Sequence, residues 1–154
     1  MQLREDRRPQ PKDESVKVKT VMTQNPVVAA RSTYLSEVAR KMLDNDVGEI
    51  PIVHGDKPIG VVTDRDIVIR LVAHGQDPKQ VRAEDCMTSP AITIDQDADL
   101  KDCAELMARE KVRRIPIVDA KGRLCGIVAL ADLERRTDTR SMKVEVFRHV
   151  SQPH

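Results

Sequence analysis

The sequence predicts an α/β (α+β) protein in which one β-α-β-β-α unit is written twice, the two copies packed with pseudo-two-fold symmetry. Three observations lead there. The chain resembles itself at a near-constant spacing of about 65 residues, the hydrophobic period switches in the same order in both copies, and the apolar residues are almost all aliphatic.

Self-similarity is clearest where Val47–Val53 reads VGEIPIV and Val112–Val118 reads VRRIPIV, identical at five of seven positions. Gly60–Asp66 (GVVTDRD) likewise matches Gly126–Asp132 (GIVALAD), and Met22, Thr23 and Pro26 pair with Met87, Thr88 and Pro90. The spacing is too long for a solenoid unit and suits a duplicated half-domain.

Each copy opens with a short apolar run, Val27–Ala30 or Ala91–Ile94, read as a strand. Leu35, Val38, Ala39, Met42 and Leu43 then follow the i, i+3, i+4, i+7, i+8 period of an amphipathic helix. Leu100, Cys103, Ala104, Met107 and Ala108 repeat it in phase. Ser32 or Thr33 is the expected cap of the first helix and Asp97 or Asp99 of the second. Two β-branched runs joined by a polar turn follow, Pro51–Val53 with Ile59–Val62 and Pro116–Val118 with Cys125–Val128, and read as paired strands. A last helix starts near Asp64 with Ile67, Val68, Leu71 and Val72 on one side and Gly75 as its stop. Its counterpart after Leu130 is shorter.

Neither copy carries enough apolar surface to stand alone, so the interface between them belongs to the core. The expected organisation is a polar N-terminal tail over 1–16, the first repeat over 17–80, the second over 81–137 and a C-terminal tail over 138–154. With 154 residues, 26 basic and 25 acidic, the chain has no overall field to steer it toward nucleic acid or an anionic membrane. Tyr34 and Phe147 are too few to form stacking platforms for single strands. The N-terminal residues are polar and no apolar run approaches a membrane span, so a cytoplasmic location is expected. Cys86, Cys103 and Cys125 are odd in number and lack a C-x-x-C spacing, which argues against a disulfide framework or a zinc site. Cys103 and Cys125 fall on apolar faces and read as small buried hydrophobes. His54, His74, His149 and His154 are scattered, and no nucleophile–base grouping or phosphate-cradling glycine loop can be assembled. Gly60 and Gly126 fit close strand packing instead. An enzyme is not expected.

The ordered motifs resemble the CBS domain family, whose members occur as tandem pairs called Bateman modules. The resemblance rests on Val21-Met-Thr23 followed by Pro26, on the IPIV strand in both copies, and on GVVTDRDI at Gly60–Ile67; it covers about residues 17–136. It implies a stand-alone, bacterial-type regulatory protein with two related clefts that hold an adenine nucleotide or adenosyl ligand: AMP, ADP, ATP, NAD or S-adenosylmethionine. It also implies a homodimer, with room for a protein effector, and requires no metal.

Within that frame Asp66 stands where the family places the acceptor for ribose hydroxyls, and Thr63 offers a hydroxyl at the strand-to-helix junction. The competing reading is that Thr63 or Asp64 caps the helix while Asp66 complements its dipole. Arg113 and Arg114 resemble the family's phosphate-contacting cations, for which a guanidinium supplies planar paired donors; Arg65 is a further candidate. Val28, Ile50 and Pro51 form the expected adenine wall by family analogy, or simply core. In the second copy Ala129 and Leu130 replace Thr63 and Asp64 while Asp132 remains, so the clefts are expected to be unequal, with the Thr63–Asp66 side the stronger. A stress-associated interaction protein with a vestigial ligand site is the alternative function.

Overall fold

In the computed structural model, which describes residues 16–135, two short lead-in segments determine how the duplicated halves assemble. The elements run α1 (Val18–Val21), β1 (Thr23–Gln24), β2 (Ala29–Ala30), α2 (Leu35–Asn45), β3 (Glu49–His54), β4 (Lys57–Thr63) and α3 (Asp64–Asp66). The last continues through a π-helical turn, Ile67–Leu71, and a 3-10 turn, Val72–His74. The second half runs α4 (Ala83–Cys86), β5 (Ile94–Asp95), α5 (Leu100–Glu110), β6 (Arg114–Val118), β7 (Leu124–Ala129) and α6 (Leu130–Glu134). The duplicated α+β unit is present as expected, with opening strands of only two residues. The expected tails lie outside the described residues except for Val16, which packs against the second core.

One sheet has the order β2-β3-β4 and the other β1-β7-β6-β5. In each, the opening strand is parallel to the IPIV strand, which pairs antiparallel with the next, and the register shifts at the same place, Ile52/Val53 and Ile117/Val118. The odd member is β1: it precedes the first half yet pairs with β7 of the second, Thr23 opposite Ile127. Thr88, its equivalent, bridges to Val61 of the first half.

The helical turns that lead into these strands are exchanged in the same way. Val18 N–H donates to Ala98 O at 2.9 Å and Leu100 N–H to Val16 O at 2.7 Å, while Ala83 N–H donates to Thr33 O at 2.7 Å and Leu35 N–H to Val81 O at 2.9 Å. Val18 is thereby buried with Leu100, Met107, Ile115, Ile117 and Leu133. Ala83 and Cys86 are buried with Leu35, Val38, Ile50, Ile52 and Leu71. These carbonyls also correct the expected caps. Tyr34 and Asp99 stand at the N-cap positions without a side-chain bond to the helix, because backbone from the adjoining lead-in already takes first-turn N–H groups.

Two further differences have local causes. Leu71 is buried, but Val68 and Val72 are 57 % and 61 % exposed, since the π-helical turn advances the phase by about one residue and rotates the expected stripe outward. Gly75 does end the segment, in the left-handed region at φ 67°. Cys103 is fully buried and Cys125 only partly so; burial, with the charge of Asp132 beside it, pushes the Cys103 thiol up to about 12.

Gly60 and Gly126 lie where the exchanged segments cross the central strands. A Cβ on Gly60 would stand 2.7 Å from Met87 Sδ and 2.8 Å from Thr88 O, and one on Gly126 would meet Met22 Sδ and, at 3.0 Å, Thr23 O. The Met side chains can yield, whereas the carbonyls are held by strand pairing. Gly60→Ala is therefore expected to lower stability by about 1–3 kcal/mol, and by more than Gly126→Ala, in urea unfolding; a Gly60→Ala protein with an unshifted midpoint would contradict this packing.

Candidate functional site

Each half ends its antiparallel strand pair in a strand-to-helix junction. At the end of β4 the Thr63 hydroxyl accepts from Asp66 N–H at 3.0 Å, and the Asp66 carboxylate accepts from Thr63 N–H at 3.0 Å, a reciprocal capping box. The other Asp66 oxygen lies 3.8 Å from Arg70 Nε. Arg70 in turn donates to the carbonyls of Cys86 and Met87 at 3.1 Å, tying the junction to α4. In the second half Ala129 has no acceptor, so only half the box forms: Ala129 N–H donates to Asp132 at 2.8 Å, with Arg135 3.8 Å from the second oxygen. The capping reading of Thr63 and Asp66 is thus realised. It leaves the Thr63 hydroxyl proton and part of the Asp66 carboxylate for other partners.

The hollows beside these junctions differ in chemistry. That at Thr63, about 550 Å³, is lined by Arg65, Lys111, Arg113 and Arg114 against only two carboxylates, Asp64 and Glu49. Asp66 sits behind Thr63 and does not line it. The hollow at Asp132, about 360 Å³, has apolar walls from Pro26, Val27, Val47, Pro51 and Ile127, with Glu49, Arg114 and Arg135 as the other charges.

The residues nominated from sequence are therefore divided between two hollows. Thr63, Arg65, Arg113 and Arg114 come together, but Pro51 faces the Asp132 side. The cause is the exchange: pairing of β1 with β7 carries the following loop, Asn25 to Val27, to the second junction. Val28 lies elsewhere, in a hollow with Asp56, Asp119 and Arg123. Ile50 is fully buried in the first core, because successive strand residues point to opposite faces and Glu49 takes the cleft face. Neither Val28 nor Ile50 forms the wall expected of it; Val27 and Val47 stand there instead.

Glu49, like Lys111 and Arg135, lines these hollows without having been nominated by the motifs. It begins β3, opposite Thr63, and is shared with Arg114 by both hollows. Its Oε2 is shut off from solvent and has no hydrogen-bond partner among the described residues. Burial pushes its carboxyl from the ordinary 4.5 up to about 7, with Arg114 opposing the rise and Asp66 adding to it. The repeat did contain a signal, since Glu49 occupies the position of Arg114 in the other copy.

Comparison with known proteins now fixes the family. The CBS domain model matches residues 18–73 and 83–137, most of the chain. The chain belongs to the CBS domain family. A CBS domain-containing protein of Bacillus subtilis, YhcV, is 37 % identical over 116 residues, covering 75 % of this chain and 81 % of that one. An uncharacterised Methanopyrus kandleri protein is 38 % identical over 120 residues, covering 77 % of this chain; the chain spans only 61 % of its length. Among solved structures, a CBS domain protein of Pyrobaculum aerophilum complexed with AMP superposes with a TM-score of 0.76 at 25 % identity, over 84 % of this chain and 98 % of that one. Hypoxic Response Protein I, with two coordinated zinc ions, gives 0.73 at 30 % identity, over 79 % and 98 %. Among the described residues of this CBS protein, no group of three or more His, Cys, Asp or Glu is arranged to hold a metal ion, and no helix is long and apolar enough to cross a membrane.

The Glu49 carboxyl makes stability depend on pH with a definite sign. Its folded value is raised, so between about 4.5 and about 7 the folded chain holds a proton that the unfolded chain has released, and stability falls as pH rises through that window. Relative to Glu49→Gln, the wild type is expected to lose on the order of 1–3 kcal/mol between pH 5 and pH 8, read from urea midpoints. Parallel curves for the two proteins would show that Glu49 is not held protonated.

Proposed function

We propose that this protein is a cytoplasmic regulatory sensor of an adenine nucleotide or adenosyl cofactor (AMP, ADP, ATP or NAD), and that it transmits ligand state by a change of conformation or of partner contacts rather than by catalysis. The observation that carries the reading is the Thr63 hollow. Four cations, Arg65, Lys111, Arg113 and Arg114, surround a hydroxyl beside the strand-to-helix junction. Phosphate oxygens match the guanidinium groups, and a ribose hydroxyl matches the Thr63 hydroxyl, which Asp66 holds in place from behind through the capping box. The AMP-bound Pyrobaculum aerophilum structure, and CBSX2 in complex with AMP at a TM-score of 0.68 and 25 % identity, support nucleotide as the ligand class. The Thr63–Asp66 side is proposed as the stronger for phosphate-bearing ligands. The apolar walls at Asp132 suit a base or a less charged ligand.

Ligand seated between the halves stabilises the folded protein by mass action, about 2.7 kcal/mol at a hundredfold excess over Kd. In calorimetric titration with AMP, Thr63→Ala, which removes the hydroxyl that lines the hollow and gives this junction the residue found at Ala129, is expected to weaken binding roughly tenfold, and Asp132→Asn by less. Equal losses would remove the proposed inequality. No thermal shift with AMP, ATP, NAD or S-adenosylmethionine would favour the interaction protein with a vestigial site, a reading that the incomplete box at Ala129 also fits.

A homodimer is part of the proposal. Val68, Ile69 and Val72 form an exposed apolar face after α3, whereas the second half has Glu134 and Arg135 at the positions of Val68 and Ile69. A second copy of this chain, pairing first repeat to first repeat, buries that face. Sedimentation is expected to give a dimer for the wild type and a monomer for Val68→Glu combined with Val72→Glu; a dimer that survives both changes would place the contact elsewhere.

A further inference from the structure

We propose that Glu49 sets the charge state the clefts accept: a nucleoside monophosphate binds only with the Glu49 carboxyl protonated, so that ligand binding takes up one proton. This rests on the nucleotide reading above and adds a specificity-determining residue to it.

The geometry that carries it is the position of one carboxyl in the wall between both hollows. Glu49 Oε2 is covered and unpartnered, and an ionised oxygen in that state has given up water without a replacement. Charged groups reach the wall from several elements. Arg114 comes from β6, Asp64, Arg65 and Asp66 from α3, Asp132 from α6 with Arg135 just beyond it, and Lys111 and Arg113 from the turn after α5. Of these, Arg114 is the cation that acts on Glu49, and Asp66 is the carboxylate that acts against it.

Arg114 is also one of the guanidinium groups available to a phosphate. In the free protein its charge offsets that of Glu49. A phosphate that recruits the guanidinium withdraws this offset and adds negative charge of its own beside Asp66. The Glu49 carboxylate would then be desolvated, unpaired and repelled at once, which a protein avoids by neutralising the group. Protonation removes the repulsion and relieves the covered Oε2 of an uncompensated charge. The carboxyl is poised for this because it titrates near about 7 before any ligand arrives.

The full-length protein and Glu49→Gln, which mimics the protonated acid in shape and donor capacity, are titrated calorimetrically with AMP at pH 6, 7 and 8. Each titration is run in two buffers of different ionisation enthalpy, which yields the protons taken up per AMP bound. The wild type is expected to take up more protons than Glu49→Gln, the excess approaching one at pH 8, and to weaken about tenfold per pH unit above 7 relative to the variant. Using the difference between the two proteins cancels the titration of AMP itself. Equal proton uptake with parallel affinities overturns the role of Glu49 and leaves nucleotide binding intact. Absence of binding by either protein at every pH overturns the nucleotide reading and this inference with it.

Discussion

The exchange of lead-in segments between the two halves is the constraint on which the rest of the structure depends. The four-residue turns α1 and α4 are far too short to be stable alone, yet each supplies buried residues to a core and carbonyls or N–H groups to a helix start in one half while leading by sequence into the other. Removing the lead-in from Val16 through β1 would uncover Leu100 and Ile117, strip β7 of its outer neighbour and leave the Leu100 N–H without its Val16 carbonyl. The halves are therefore not two domains resting on each other; each core contains a piece of chain that belongs, in order, to its partner. Gly60 and Gly126 exist to let those pieces pass.

The same crossing decides what the clefts contain. Because β1 lies against β7, the loop after it becomes a wall at Asp132, and the first copy's Val47 and Pro51 face the second copy's junction. Residues that act together are thus drawn from both copies, and the motif that looks self-contained at Gly60–Ile67 supplies only one side of a hollow. Both hollows are therefore lined by residues of both halves.

The fold was largely legible because its signals are periodic. The duplicated IPIV strand, the α5 stripe and the glycines at crossing points recur in order and the structure keeps them, whereas α2 buries Leu35, Val38 and Met42 but leaves Ala39 and Leu43 of the expected stripe exposed. What escaped was aperiodic or phase-dependent. Val18 and Ala83 sit in turns too short to show a period, so the exchange left no pattern. Ser32 and Thr33 looked like caps because the competing carbonyls lie about fifty residues away, at Pro78 and Val81. Val68 and Val72 matched an ideal helix that the π-helical turn interrupts. Thr63, Arg65, Arg113 and Arg114, picked out by motif position, do line one hollow, but Val28 and Ile50 were each displaced by one step of strand or loop, and one step reverses the face.

Glu49 and Arg114 show how a duplication acquires asymmetric chemistry while keeping a symmetric fold. They begin equivalent strands, pair across to Thr63 and Ala129 respectively, and share both hollows. Two arginines at these positions would repel one another in a partly covered wall, and two glutamates would do so without any cation to offset them. One of each sign lowers that repulsion, yet Glu49 Oε2 remains without a hydrogen bond, so the compensation is electrostatic and incomplete. An incompletely compensated group is the one most easily moved by a newcomer's charge. The asymmetry that makes the wall tolerable in the free protein therefore also leaves Glu49, opposite Thr63 in the strand pair, sensitive to the charge around Arg114.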